Sequence, residues 1–276
     1  MSLLLLFARQ ELLLAVRSRW TQLFTVVFAA LALSVAGAGY VLSGGAGLQD
    51  FARTTVSLIQ LVVLLVPMTA LVLGVMALAP DRGAAELLYS QPVARHTVLF
   101  GKLLGLFVAL LGAQAVGFGL AGLAIVRQAG GYGAGTFGLL ITSSALLTAI
   151  FLGLAAALAA GTTGRRRTRA LAASLILWFV LVILYDVAAL GAASLLSSGH
   201  ASRLLIVAAL VNPVDAIRTG ALLAIEGPGA FGAASAALLR LAGGPLEAGV
   251  LIAASIALWL AVPALVGMRR LARADI

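Results

Sequence analysis

The chain has 276 residues, of which 63% are hydrophobic and only 10% charged, against roughly 45–50% apolar and about 25% charged in an ordinary soluble domain, which excludes a soluble enzyme. Six nearly charge-free stretches of about 20 residues can each cross a hydrocarbon core about 30 Å thick; being apolar on every face, they define an all-α polytopic membrane protein and exclude an outer-membrane barrel, whose strands alternate every second residue. With no cysteine there is no disulfide, thiol nucleophile or cysteine-ligated metal, and the net charge of +9 needs a topological or a binding explanation.

The first 20 residues open on Leu3-Leu4-Leu5-Leu6. No basic residue precedes this short run, so cleavage as a signal peptide is not expected. Ser2, Arg9, Gln10 and Arg17 form a polar stripe opposite Leu5, Leu12, Leu13 and Val16, the pattern of a helix lying in the membrane interface. Arg17, Arg19 and Trp20 then mark the headgroup level. The predicted spans are 22–42, 56–79, 99–126, 137–161, 170–196 and 246–268. Pro67 and Pro263 fall inside two of them, where each frees a carbonyl that a neighbour must satisfy and predicts a bend. Residues 80–98 and 162–169 connect spans on one side. Residues 197–245 form a long segment on the other, too apolar for a disordered loop. It is expected as short surface helices or a partial re-entry. Its stretch 221–241, interrupted by Glu226-Gly227-Pro228-Gly229, is placed outside the bilayer core.

Six crossings return the chain to its starting side. With the N-terminus cytoplasmic, the inside holds Arg9, Arg17, Arg19, Arg82, Arg95, Lys102, Arg165, Arg166, Arg167, Arg169, Arg269, Arg270 and Arg273, which is 13 of 18 basic residues; Arg53, Arg127, Arg203, Arg218 and Arg240 are outside. Basic residues are retained in the cytoplasm, so both termini are expected there, in a bacterial inner membrane. The charge is mostly topological.

The same argument accounts for Arg165-Arg166-Arg167-Thr168-Arg169 without nucleic acid, although contact with a cytoplasmic partner or acidic membrane lipids stays open. Gly101-Lys102 is followed by Leu103 rather than the Ser or Thr of a phosphate-binding loop, so the chain is not expected to bind ATP. Met68 and Met76 sit about 80° apart around one helix, and His96 and His200 fall on opposite sides, so no metal site is assigned. Asp186 is the one acid well inside a span, and no basic residue lies at matching depth in the other spans. Its role is either structural, at a helix contact, or that of a cavity-lining group. The small residues Gly101 and Gly105, and Gly153, Ala157 and Gly161, read as packing faces.

In the connection 80–98, a short helix is predicted from about Gly83 to Ser90, stopped by Pro92. Arg82, Glu86, Leu87, Leu88 and Tyr89 put apolar and charged groups on a segment that either docks in the groove of a cytoplasmic partner or packs on its own bundle. The run Glu86, Leu87, Leu88, Ser90, Pro92, Val93, Arg95, Gly101, Lys102 resembles the ABC-2-type permease family, the type V membrane halves of ABC transporters, with an N-terminal interfacial helix and six spans. The resemblance implies that 80–98 is a coupling helix held by an ATPase subunit that carries ATP and Mg, with no cofactor on this chain. Residues 78–105, with Asn212, Pro213, Asp215 and Arg218 in the outer segment, resemble more closely the permeases of ABC complexes encoded with nitrous oxide reductase. That likeness implies a homodimer, two cytoplasmic ATPase subunits and a periplasmic copper-delivery partner contacted by the outer segment. Two other readings stand beside it: an exporter of a lipid, drug or sulfur species, and an ATPase-independent anchor or carrier.

Overall fold

The computed structural model describes residues 2–42, 51–79, 93–129, 134–160, 162, 165–227, 239 and 242–273. In chain order these form α1 (Leu3–Arg17), α2 (Arg19–Leu42), α3 (Phe51–Leu78), α4 (Arg95–Ala129), α5 (Ala134–Ala159) and α6 (Arg165–Phe179). A π-helical turn (Val180–Leu184) runs directly into α7 (Tyr185–Ser194), followed by α8 (Ser198–Val211), α9 (Pro213–Glu226) and α10 (Pro245–Ala272). No strand occurs among the described residues. Among the described residues, six helical stretches are long and apolar enough to cross a membrane: 19–38, 54–78, 95–127, 135–159, 167–194 and 245–272. Each overlaps one of the six stretches read from sequence. All six begin one to four residues earlier than expected, because residues at span ends continue the helix into the interface.

The centre of the bundle is the pair α3 and α5, flanked by α4 and α2 on one side and by α9 and α10 on the other. Leu58, Ile59, Leu71 and Val75 of α3 share one buried cluster with Leu140, Leu147, Ile150 and Phe151 of α5, all essentially solvent-free. In lipid, helices gain nothing from hiding apolar surface from water, so close packing and interhelical hydrogen bonds must hold them. Both are present. A Cβ on Gly74 would lie 2.6 Å from the Ala155 Cβ, and one on Gly267 2.9 Å from that of Ala156, so α3 and α10 approach α5 more closely than larger residues allow. The Gln114 amide of α4 donates to Thr148 Oγ1 at 3.0 Å, and Ser144 Oγ donates to its carbonyl oxygen, forming a buried polar link between α4 and α5.

The two glycines Gly101 and Gly105 define the docking of α1. A Cβ on Gly101 would lie 2.6 Å from that of Phe7, and one on Gly105 2.8 Å from that of Glu11. The packing role read from their spacing therefore has a specific partner, the N-terminal helix. Pro67 and Pro263 both sit within continuous helices. Proline loosens the preceding turn, and there the Trp178 indole donates to Leu64 O at 3.0 Å.

The segment after α7 folds into the bundle. Helices α8 and α9 meet at 105°, and Val214, Ala216, Ile217, Ala221 and Leu222 of α9 are buried against α3, α5 and α10. Residues 221–226, read from sequence as part of a surface tract, are the second half of this packed helix, which stops at Gly227 with φ +70°, a backbone region suited to glycine. Residues 228–238 lie outside the described residues.

Candidate functional site

The bend between α8 and α9 is built from Asn212-Pro213-Val214-Asp215. Asn212 Oδ1 accepts from the Val214 amide at 3.1 Å and so caps α9; Pro213, with no amide hydrogen to lose, fits the first helical position. Asp215 stands in the first turn, where the positive end of the helix dipole favours a carboxylate. The other end of the Asn212 amide donates to Leu181 O at 2.7 Å and to Asp215 Oδ2 at 3.2 Å. Leu181 belongs to the π-helical turn, whose wider winding shifts the carbonyl pattern and leaves an acceptor open. One buried asparagine thus ties the bend to the span beside it.

Toward the end of α8, where carbonyls run out of intrahelical donors, the surrounding spans supply side-chain donors, beside the Asn212 backbone amide that reaches Ala208 O at 3.1 Å. Tyr185 Oη donates to Ala208 O at 3.0 Å, Ser255 Oγ to Leu210 O at 2.5 Å, and Trp259 Nε1 to Val211 O at 3.0 Å. Sequence reasoning missed all three donors, because a carbonyl acceptor leaves no mark in the residue types.

Arg218 joins two carboxylates. Its Nη1 donates to Asp186 Oδ2 of α7 at 3.0 Å and its Nη2 to Asp215 Oδ1 at 2.5 Å. The reading that no basic residue lies at matching depth in the other spans is untouched by this: the cation that meets Asp186, Arg218, arrives from the bent segment. The signal was available, since a lone acid in a span needs a cation, and Asp215 and Arg218 at i,i+3 stand on one helix face. The three groups carry a formal charge of −1 and line a cavity of about 220 Å³ whose other walls include Leu190, Leu205, Ala209 and Ile252. Both roles left open for Asp186, helix contact and cavity lining, meet in this geometry. Asn212 is 1% exposed, Asp215 5%, and Pro213 is buried. In this conformation they hold the bend, with their side chains turned inward.

At the other end, Arg82, Glu86, Leu87, Leu88, Tyr89 and Pro92 lie outside the described residues. The helices that flank them are described, and three cations cap the last turns of three helices. Lys102 Nζ donates to Ala77 O of α3 at 2.9 Å, Arg95 Nη1 to Leu271 O of α10 at 3.0 Å, and Arg270 Nη1 to Ala157 O of α5 at 2.6 Å. Each cation meets orphan carbonyls at the negative end of a helix dipole. Lys102 also lies 3.5 Å from Glu11 Oε2, so α1, the end of α3 and the start of α4 converge on one ammonium group. Burial pushes the Glu11 carboxyl up from its usual range, and Lys102 pulls it partly back. Among the described residues, no group of three or more His, Asp or Glu side chains is placed to hold a metal ion.

A family model described as ABC-2 family transporter protein matches residues 5–276. The chain is 37% identical over 264 residues to the probable ABC transporter permease protein NosY of Pseudomonas aeruginosa, covering 92% of this chain and 90% of that one. It is 34% identical over 230 residues to the protein of the same name from Stutzerimonas stutzeri, covering 80% and 82%. ABC permeases work with separate ATPase subunits, which sets aside the reading of an ATPase-independent anchor or carrier. With six candidate spans and this match along nearly its whole length, the chain belongs to the ABC-2 transporter family and is a multi-pass permease subunit of an ABC transporter.

Proposed function

We propose that this permease converts ATP hydrolysis on cytoplasmic ATPase subunits into movement of its outer bent segment, in the copper-site maturation of nitrous oxide reductase. It works as a homodimer in the bacterial inner membrane with both termini cytoplasmic. Two ATPase subunits, which carry ATP and Mg, grip the 80–98 connection through Glu86, Leu87, Leu88 and Tyr89, and a periplasmic copper-delivery protein meets the outer segment. The observation that carries the reading is the continuity of ties along the bundle. Lys102 fastens α3 to α4 and α1 beside the 80–98 connection, while α3 packs directly on α5, α6 and α9. Asn212 and Arg218 then join α9 to the span containing Leu181 and Asp186. A displacement of the α3 and α4 ends therefore has a packed route to the α8–α9 bend.

The test is replacement of the resident permease in a nitrous-oxide-reducing bacterium by this chain. Nitrous oxide reductase isolated from those cells is expected to hold its full copper complement. Apo-reductase, from cells in which the chain is inserted and bound to its ATPase, contradicts the maturation role. A second reading, export of a small lipid, drug or sulfur species, draws on the cavity of about 220 Å³ at Asp186, Asp215 and Arg218. Substrate-stimulated ATPase and vesicle transport with no periplasmic protein present would favour it.

A further inference from the structure

Helices α4 and α5 enclose an apolar groove of about 690 Å³ in the half of the bundle nearest their own connection. Its walls include Leu111, Ala115, Leu123 and Val126 of α4 and Ile141 of α5, and Phe118 and Phe137 meet edge to face beneath it, with centroids 6.1 Å apart. The space exists because side chains are missing: a Cβ on Gly119 or on Gly138 would meet no atom within 4 Å. Gln114, at the far end, is 1% exposed and bonded to Ser144 and Thr148, so water would find no partner there. From Gln114 to Val126 the groove runs about 18 Å at about 1.5 Å per residue, comparable with one leaflet of a core about 30 Å thick. One turn beyond Leu123, at the mouth, stands the exposed Arg127, with no ion pair to a carboxylate among the described residues. The sequence holds no Asp or Glu anywhere from Gly101 to Gly164.

We propose that this groove is a binding site for a membrane phosphoglyceride, with one acyl chain along α4 from Val126 to Gln114 and the phosphate paired with Arg127. An acyl chain matches the apolar lining and the length, and a phosphate supplies an anion for Arg127, which has no carboxylate partner among the described residues. A second copy of the chain is the poorer occupant: a two-fold contact across this face sets Arg127 beside its own counterpart, with no acid on α4 or α5 to separate the two charges.

The whole complex, reconstituted in nanodiscs doped with a phospholipid bearing a photoactivatable acyl chain, tests the site by mapping adducts with mass spectrometry. Adducts are expected within 119–126 and 137–141. Gly119→Leu adds a side chain where a Cβ meets no atom within 4 Å and is expected to lower them about fivefold or more with unchanged melting temperature. Arg127→Gln is expected to lower the phospholipid retained through delipidation about fivefold, the scale of one basic residue at an anionic surface. Adducts unaffected by Gly119→Leu, retention unaffected by Arg127→Gln, or disulfide cross-linking of two Leu123→Cys copies through this face would each overturn the proposal.

Discussion

Arg218→Met isolates the charge cluster at the bend. The guanidinium donates to Asp186 at 3.0 Å and to Asp215 at 2.5 Å, and methionine keeps much of the side chain's length while removing both bonds. Two carboxylates are then left facing an apolar cavity. Losing one partner of a buried ion pair costs about 3–5 kcal/mol. Side-chain exposures of 25% for Arg218 and 30% for Asp186 place this case at the lower end, about 3 kcal/mol. Asp215, whose side chain is 7% exposed, carries the larger share of that loss. Adding Asp215→Asn to Arg218→Met is therefore expected to restore about 2 kcal/mol, whereas Asp186→Asn, closer to solvent, restores about 1 kcal/mol or less. The assay is the unfolding free energy of the purified complex in mixed micelles, measured across the double-mutant cycle. A change below about 0.5 kcal/mol for Arg218→Met, or greater rescue by Asp186→Asn than by Asp215→Asn, would refute the reasoning.

Three further outcomes follow from the same geometry. Asn212→Asp keeps the cap on Val214 but turns the donor to Leu181 O into an acceptor beside Asp215, so in the same unfolding assay it should cost more than Asn212→Ala, itself about 1–3 kcal/mol. Gly105→Leu drives a side chain into the backbone of α1 and is expected to cost about 1–3 kcal/mol and to expose α1 to protease, while Gly112→Leu, which meets open space, leaves α1 protected. Glu11 binds its proton more tightly when α1 is docked than when it is free, because burial raises its pKa. Its contribution to docking is therefore fully present below the free carboxyl pKa and is lost as pH rises through the docked one. Lys102→Met removes the cation that opposes the shift, moving that loss to higher pH; protease protection of α1, followed against pH, is the readout, and a midpoint unmoved or moved downward contradicts the assignment.

The spans were legible because lipid thickness imposes an apolar length that no soluble helix needs. Asp186 was legible as an anomaly for the same reason, since a carboxylate in a span demands an explanation. Its partner was hidden because Arg218 belongs to a tract read as short surface helices or a partial re-entry, apart from the six spans. Only the fold reveals that Asn212-Pro213 starts a new helix whose apolar face turns inward. The same limit applies to α1: the spacing of Gly101 and Gly105 announces a close contact, but nothing local says that Phe7, Ala8 and Glu11 fill it. The donors Tyr185, Ser255 and Trp259 serve backbone carbonyls, which every residue has, so composition cannot single them out. The 80–98 connection is the reverse case, rich in sequence signal at Glu86, Leu87 and Leu88, and it carries the central claim of coupling.

The ATPase activity of the purified complex, compared between the parent and the Glu86→Ala, Leu88→Ala double variant, tests that claim most directly. The account predicts that the ATPase subunits dissociate from the double variant, or stay bound with an activity that no longer responds to the permease. Unchanged activity in a complex of unchanged stoichiometry would contradict it.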